Sequence, residues 1–282
     1  MVKITECPRD AMQGIQPFIP TEDKVRYINA ILKVGFDTVD FGSFVSPKAI
    51  PQMRDTADVL RQLNVDSSSS KLLAIIGNQR GAEDAVQYDE IAYLGFPFSI
   101  SPTFLQRNIN STVERSFALV QELLGICQQH NKQLVTYISM AFGNPYGDDW
   151  DTELLLHWID QLHLAGVRRI ILADTVGVGK VEYISAPLST AIPSYQEVTF
   201  GLHLHTTTAD WREKIEAAYQ AGCLHYDGVL SGLGGCPMAG LDLVGNIHTR
   251  NLLDYFSEKD ALAGLSLQAF AEAEKIATEI IP

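Results

Sequence analysis

Short apolar runs alternate along this chain with amphipathic stretches, and this alternation limits the possible fold more than any other feature. Eight of the apolar runs have the length and composition of β-strands: Val2–Cys7, Thr38–Gly42, Leu72–Gly77, Glu90–Leu94, Leu134–Met140, Arg169–Asp174, Thr199–His205 and Tyr226–Leu230. A helical stretch follows each of them. Eight such pairs in about 250 residues are typical of a (β/α)₈ barrel. We therefore predict an α/β protein with a single TIM-barrel domain over residues 1–282 and a C-terminal helix at Leu265–Ile281.

The predicted helices have recognisable ends. Thr21 is a favourable N-cap for a helix over Glu22–Val34, and Gly35 is predicted to end that helix. Two later helices also stop at a glycine: Asp151–Ala165 before Gly166, and Asp210–Ala221 before Gly222. A doubly wound open sheet is the competing fold. It usually has fewer strands, and its first turn often carries a phosphate-binding glycine pattern that Pro8-Arg9-Asp10 lacks.

Polar residues follow many of the predicted strands. In a (β/α)₈ barrel the active site lies at the C-terminal ends of the strands, so residues distant in sequence meet at one rim. The residues in such positions are Arg9 and Asp10, Asp40 and Ser43, Asn78, Asp174 and Thr175, His203 and His205, and the stretch from Ser231 to Cys236. This distribution predicts an enzyme.

Composition and charge exclude several other classes of protein. The formal net charge is −13, which disfavours a surface for nucleic acid or anionic membrane, since either needs a basic face. No apolar stretch is long enough to span a membrane, and the N-terminus resembles neither a signal nor a transit peptide. Four scattered cysteines indicate reduced thiols rather than a disulfide framework. We expect a cytoplasmic protein.

Two histidines on the seventh strand are candidate metal ligands. His203 and His205 are two residues apart, and alternation along a strand directs both side chains to the same face. Asp10 is the natural carboxylate partner, and Asn246 could add a carbonyl oxygen. Such a set suits Mg²⁺ or Mn²⁺ if oxygen donors complete it, or Zn²⁺ if the site is four-coordinate. The alternative is two polar residues at a strand end; Asp10 at the same rim favours the metal.

Arg9 and Cys236 each allow a structural and a functional interpretation. Arg9 could form a salt bridge that closes the barrel, or it could stabilise an oxyanion that develops in the substrate. Cys236 could be a small residue in a tight turn. Its flanking glycines would also let the chain bend closely over a ligand and leave the thiol accessible.

Several motifs together resemble the 3-hydroxy-3-methylglutaryl-CoA (HMG-CoA) lyase family, in the DRE-TIM metallolyase group. They extend over most of the chain: Pro8-Arg9-Asp10 with Gln13, Ser43-Phe44-Val45-Ser46-Pro47-Lys48 with Pro51-Gln52-Met53, Asn108-Ile109-Asn110, Phe142-Gly143 with Pro145-Tyr146, Asp174-Thr175-Val176-Gly177-Val178-Gly179, His203-x-His205, and Gly232-Leu233-Gly234-Gly235-Cys236-Pro237. The strings SFVSPK and GLGGCP in this order make the resemblance specific.

The resemblance implies a divalent-metal barrel enzyme that cleaves HMG-CoA to acetyl-CoA and acetoacetate. By position, it implies Mg²⁺ or Mn²⁺ ligands, catalytic residues and further substrate-binding residues. The metal ligands are Asp10, His203, His205 and Asn246; the catalytic residues are Arg9, Asp10, His203 and Cys236; the substrate-binding residues are Arg9, Gln13, Asp40 and Thr175. In this chemistry His203 or Asp10 accepts the hydroxyl proton, Arg9 pairs with the thioester enolate, and the Cys236 thiol protonates its carbon.

The chain departs from the family pattern near these residues. Thr206 stands where the family has an aspartate, Asp40 where it has a glutamate, Ala11 where it has a glycine and Met238 where it has a tyrosine. The family's acidic residue four positions before Arg9 is Thr5 here, and the adjacent Glu6 could replace it after a register change. The spacing from Cys236 to Asn246 is also one residue longer. These differences affect which acyl group the pocket would accept and how tightly the site would bind a metal.

Other functions fit the same fold. A related metal-dependent aldolase or lyase could act on another 3-hydroxyacyl-CoA or a 2-oxo acid, and a barrel without catalysis would be expected to have lost its metal ligands. The expected partner is an acyl-CoA, whose phosphates could be met by Lys48, Arg80 or Arg107. The apolar C-terminal helix could cover a barrel end or form a homodimer contact.

Overall fold

The computed structural model describes residues 1–234, 244–262 and 264–281, and within them eight parallel strands form a closed barrel in sequence order. The strands are β1 Lys3–Glu6, β2 Thr38–Ser43, β3 Lys71–Ile75, β4 Ile91–Ser99, β5 Gln133–Ser139, β6 Arg169–Asp174, β7 Thr199–Leu204 and β8 His225–Gly228. The predicted (β/α)₈ TIM barrel is confirmed. The fourth strand was predicted too short, because β4 continues past Leu94 and pairs with β5 as far as Ser99.

Helices surround the barrel. They are α1 Pro8–Met12, α2 Thr21–Leu32, α3 Thr56–Leu60, α4 Gln79–Ala85, α5 Pro102–Ile109, α6 Val113–Gln129, α7 Thr152–Ala165, α8 Val181–Ser194, α9 Trp211–Gln220, α10 Thr249–Glu258 and α11 Leu267–Ile280. Single 3₁₀ turns occupy Pro51–Met53 and Val65–Ser67. One capping prediction was wrong: Thr21 is the first residue of α2, and its hydroxyl donates to Asp55 Oδ2 at 2.8 Å instead of capping the helix.

The glycine stop predicted at Gly166 is confirmed, whereas α9 ends at Gln220, two residues before Gly222, and α2 already ends at Leu32, three residues before Gly35. Gly35, Gly166 and Gly222 have φ angles of +90°, +105° and +93°, in the left-handed region that glycine adopts at low cost. Each of them directs the chain from a helix back toward the next strand. The short connections keep consecutive strands adjacent, as parallel β/α units require.

The C-terminal helix packs on the side of the barrel. Phe270 of α11 is fully buried and meets Phe36 with the ring centroids 6.4 Å apart. Arg26 of α2 forms an ion pair with Glu279 of α11 at 2.9 Å. These contacts join α11 to α2, so the helix covers an outer face rather than a barrel end. No helix among the described residues is long and apolar enough to cross a membrane.

Apolar side chains fill the barrel below the rim. Leu73 of β3, Val135 and Tyr137 of β5, and Ile171 of β6 form one cluster. Packing of this kind closes the interior, so a ligand can enter only where strands give way to polar connections. The carboxyl ends of the strands form such a rim.

Candidate active site at the C-terminal rim of the barrel

A cavity of about 410 Å³ opens among the carboxyl ends of the strands. Its wall contains both polar and apolar side chains. The polar residues are Arg9, Asp10, Gln13, Ser46, Asn78, Asn108, Tyr137, Ser139, Thr175, His203 and His205, and the apolar ones include Val45, Ile50, Ile75, Pro97, Phe104 and Ile109. A concave site with convergent polar groups is the usual form of a small-molecule site.

Arg9 organises one side of the cavity. It lies in α1, which follows β1 directly and starts with Pro8 in its first turn. Its Nε and Nη2 both donate to Asp40 Oδ2, at 3.0 and 2.6 Å, and Nε also lies 3.3 Å from Oδ1, so the carboxylate of β2 binds one edge of the guanidinium. Its Nη1 donates to Asp10 Oδ1 at 3.1 Å and to Gln13 Oε1 at 2.9 Å. The guanidinium therefore has a fixed orientation at the cavity wall.

Burial and neighbouring charges shift the pKa values of these groups. Burial raises the pKa of Asp40 to about 6, although Arg9 opposes the change. Burial acts in the same direction on Asp10, but Arg9, His203 and His205 outweigh it and lower the pKa of this carboxyl below its usual value. Asp10 is thus held as a carboxylate among cationic groups and imidazoles, which is the state a metal ligand needs.

The two imidazoles of β7 are oriented by different partners. His203 Nδ1 lies 3.1 Å from Asp227 Oδ2, and His205 Nδ1 lies 2.6 Å from the carbonyl oxygen of Val244. A ring nitrogen beside an oxygen acceptor carries the proton, so in the neutral form of each ring Nε2 keeps a lone pair. His203 Nε2 lies 3.7 Å from Asp10 Oδ2.

Asp10, His203 and His205 form a group of potential metal ligands. One ligand atom from each lies within 4.8 Å of the others, although exposed acidic groups often cluster without an ion. All three residues here are buried or nearly so. Asn246 is beside them, with Nδ2 donating to Asp10 Oδ2 at 2.5 Å. Two imidazoles, a carboxylate and a carboxamide are donors that fit a divalent cation.

The two histidines have opposite pKa shifts. Burial lowers the pKa of His203, but the hydrogen bond and charge of Asp227, with the charge of Asp10, outweigh burial and raise it. Burial and the neighbouring His203 lower the pKa of His205. His205 is therefore neutral near pH 7, the form in which imidazole binds a metal.

Thr175 lines the cavity from the end of β6. Its Oγ1 accepts a hydrogen bond from the backbone N–H of Met140 at 3.0 Å. The preceding residue, Asp174, is buried and accepts the N–H groups of Val178 and Gly179, both at 3.0 Å. These bonds fold the turn after β6 and fix the position of Thr175.

The structure brings most of the predicted site residues together. Arg9, Asp10, Gln13, Thr175, His203 and His205 all line the cavity, and Asn246 contacts Asp10. Asp40, predicted to contact substrate, is outside the lining: its carboxyl is 1% exposed and lies behind Arg9. Cys236 and Met238 lie outside the described residues.

Three further predictions can be placed. Glu6 does not enter the cavity; its carboxyl accepts hydrogen bonds from Leu230 and Thr249. It therefore does not take the place of an acidic residue in the site. Lys48 is exposed next to the lining residue Ser46, whereas Arg107 lies over the ring of Tyr146 at 4.8 Å.

Sequence reasoning missed two residues beside His203. Asp227 lies directly opposite His203 in the pairing of β7 with β8, and the Tyr137 ring is nearly perpendicular to the imidazole, with the ring centroids 6.2 Å apart. Both occupy predicted strands. Pairing the predicted β7 and β8 in parallel register would have placed Asp227 next to His203, since both residues face the barrel interior.

A barrel that gathers carboxylates, imidazoles and a guanidinium at its carboxyl rim, in an arrangement that could hold a metal ion, has the features of an enzyme of the (β/α)₈ class. Comparisons with known proteins narrow this class. Residues 2–276 match the family model described as HMGL-like. The chain is 29% identical to hydroxymethylglutaryl-CoA lyase of Bacillus subtilis, over 95% of this chain and 89% of the relative. It is 30% identical to the cytoplasmic 3-hydroxy-3-methylglutaryl-CoA lyase of Rattus norvegicus, over 96% and 79%.

A solved structure agrees with these relatives. The HMG-CoA lyase of Acinetobacter baumannii, in complex with coenzyme A and 3-methylmalate, superposes with a TM-score of 0.92 at 28% identity, over 100% of this chain and 91% of that one. The chain belongs to the HMGL-like family, and it is a lyase.

Proposed function

We propose that this lyase cleaves HMG-CoA to acetyl-CoA and acetoacetate with the help of a divalent cation. The observation that carries the proposal is the meeting of Asp10, His203, His205 and Asn246 at one end of a cavity whose wall also presents Arg9. The similarity to HMG-CoA lyases, one of them with coenzyme A bound, supports the choice of substrate.

Asp10, His203, His205 and Asn246 would hold the cation, for which we propose Mg²⁺ or Mn²⁺. Oxygen donors in the set favour these ions over softer ones. Asp227 and the Val244 carbonyl each hold the Nδ1 edge of one imidazole, as partners of metal-binding histidines commonly do. When bound, the cation supplies Lewis-acid chemistry that lowers the pKa of the tertiary hydroxyl of the substrate.

The side chains around the cavity have separate roles in the cleavage. His203 or Asp10 accepts the proton of the tertiary hydroxyl, since both face the cavity 3.7 Å from one another. Breaking the carbon–carbon bond leaves acetoacetate and the enolate of acetyl-CoA, and Arg9 stabilises the negative enolate oxygen. Asp40 acts indirectly by orienting Arg9.

Two further residues contact the substrate in this scheme, and one supplies a proton. Gln13 and Thr175, which both line the cavity, bind the acyl group. The thiol of Cys236 donates a proton to the enolate carbon, which completes acetyl-CoA. We also propose that the enzyme is cytoplasmic and forms a homodimer; light scattering of the purified protein would measure its mass.

Acetyl-CoA release from HMG-CoA tests the proposal. Purified protein stripped of metal is expected to be inactive, to regain activity with Mg²⁺ or Mn²⁺, and to lose it in His205→Ala. His163→Ala is a matched control, because His163 pairs with Glu197 on the outer surface. Full turnover by Cys236→Ala would remove the thiol from the scheme. Metal binding without cleavage would instead indicate another 3-hydroxyacyl-CoA.

A further inference from the structure

A buried carboxyl that the proposed reaction does not use joins two distant parts of the chain. Glu6, the last residue of β1, is 0% exposed. Its Oε1 accepts the backbone N–H of Leu230 at 2.7 Å, and its Oε2 accepts the hydroxyl of Thr249 at 2.6 Å. Among the ion pairs of the described residues, none includes Glu6. Both oxygens are therefore occupied by neutral donors.

The two donors lie at opposite ends of one stretch of chain. Leu230 follows β8, and Thr249 is the first residue of α10. Between them, residues 230–234 and 244–249 are described. The second of these parts contains Asn246, which contacts Asp10, and Val244, whose carbonyl oxygen meets His205.

Backbone hydrogen bonds continue from Thr249 to the metal-binding candidates. Thr249 donates its N–H to Val229 at 3.1 Å, and Ile247 donates its N–H to Leu204 at 3.0 Å. Asn246 then pairs with His205 in an antiparallel bridge. A displacement of Thr249 would thus also move Asn246, which lies three residues earlier in the chain.

We propose that Glu6 is a positioning residue that holds Leu230 and Thr249 together, so that Asn246 and the Val244 carbonyl lie against Asp10 and His205. The proposal rests on the metal site proposed above. Without Glu6, the N–H of Leu230 and the hydroxyl of Thr249 lose their acceptor although both residues are buried, and the chain must shift to satisfy them.

The test compares Glu6→Leu and Glu6→Gln with wild type. Leucine accepts no hydrogen bond, whereas the glutamine amide can accept from Leu230 and donate to the hydroxyl of Thr249. The first readout is Mn²⁺ binding, measured by electron paramagnetic resonance without substrate. The second is hydrogen exchange of backbone amides in peptides that cover residues 228–234 and 244–251.

We expect Glu6→Leu to weaken Mn²⁺ binding by about 10-fold or more, the lower end for loss of a group that supports metal ligands. Exchange in both peptides should accelerate. Glu6→Gln should stay within about 3-fold of wild-type affinity, since both hydrogen bonds can re-form. Lys24→Met is the control for general destabilisation: Lys24 is buried against Asp55, far from these peptides in sequence, and its loss should leave Mn²⁺ affinity unchanged.

Unchanged Mn²⁺ affinity in Glu6→Leu would overturn the positioning role, whether or not exchange accelerates. Equal loss of affinity in Glu6→Gln and Glu6→Leu would overturn it as well. If Glu6→Leu does not fold, Thr249→Val removes one of the two bonds and should accelerate exchange at residues 244–251. If wild type binds no Mn²⁺, the proposed metal site fails. Unchanged hydrogen exchange in Glu6→Leu would separately show that Glu6 does not hold Leu230 and Thr249 together.

Discussion

At the scale of single residues, the partners of the two imidazoles explain how the site tolerates Thr206. The family aspartate that Thr206 replaces could have supported a metal-binding histidine. In this structure Asp227 holds His203, and the backbone carbonyl of Val244 holds His205. Neither imidazole depends on the side chain at position 206. The departure therefore leaves both candidate ligands with a fixed orientation.

Asp227→Asn is expected to weaken Mn²⁺ binding by about 10- to 100-fold, the range found for residues that support metal ligands. The carboxamide is nearly the same size as the carboxylate, but it carries no charge to hold the protonated Nδ1 edge of His203. Isothermal titration of the metal-free protein would measure the change. Asp37→Asn is the matched control, since Asp37 pairs with Lys3 near the start of β1. Equal affinities of Asp227→Asn and wild type would contradict this role.

Asp40 shows that a side chain shorter than the family glutamate can still accept hydrogen bonds from Arg9. It has one methylene less than the family glutamate, yet both its contacts with Arg9 are within hydrogen-bond distance. The sequence placed Asp40 on the second strand, where the structure has it, but the substrate contact predicted for it does not agree with its position outside the cavity. Its place behind Arg9, outside the cavity, depended on the tilt of β2 and α1, which local sequence does not encode.

At the scale of helices and strands, periodicity predicted the order of elements because each β/α unit buries one face locally. A helix end that depends on the backbone conformation of a single residue, such as the end of α7 at Gly166, was also predictable. The predictions were wrong where a contact with a residue distant in sequence determines the local structure. Asp55 takes the hydroxyl of Thr21, and pairing with β5 extends β4 to Ser99. Glu6 likewise faces Leu230, more than two hundred positions away in the chain.

Replacement by alanine should change the stability in opposite directions at two glycines that differ in backbone conformation. Gly166 has φ = +105°, and a Cβ there would meet no atom within 4 Å, so Gly166→Ala is expected to cost about 1 kcal/mol through backbone strain alone. Gly125 lies inside α6, where a Cβ also meets nothing within 4 Å, so Gly125→Ala should stabilise by up to about 1 kcal/mol. Thermal unfolding of both variants measures the difference, and equal shifts would contradict the argument.

At the scale of the whole molecule, the barrel depends on the seam where the first and last strands meet. β1 pairs with β8 over four residues, and Glu6 lies opposite Gly228 at the rim end of that seam. A residue there joins the N-terminal strand to the last β/α unit. Because α1 follows β1 directly, the seam also brings Asp10 beside Asn246.

Glu6 should make the stability of the whole barrel depend on pH. Burial raises its pKa from 4.5 to about 8. Between these values the folded protein keeps a proton that the unfolded chain has lost, so the free energy of unfolding falls as pH rises. The fall from this group is at most about 1.4 kcal/mol per pH unit. Below the lower value both states are protonated, and above the higher value both are ionised, so the contribution is constant there.

Glu6→Gln removes this ionisation while keeping the shape of the side chain. The melting temperature of Glu6→Gln relative to wild type is therefore expected to rise steadily between about pH 5 and pH 8 and then level off. Glu83→Gln, on the exposed face of α4, is the control for the same substitution at a site that is not buried. A Glu6→Gln difference that stays flat over the same interval would mean that Glu6 ionises alike in the folded and unfolded protein. The barrel seam would then not contain a protonated carboxyl.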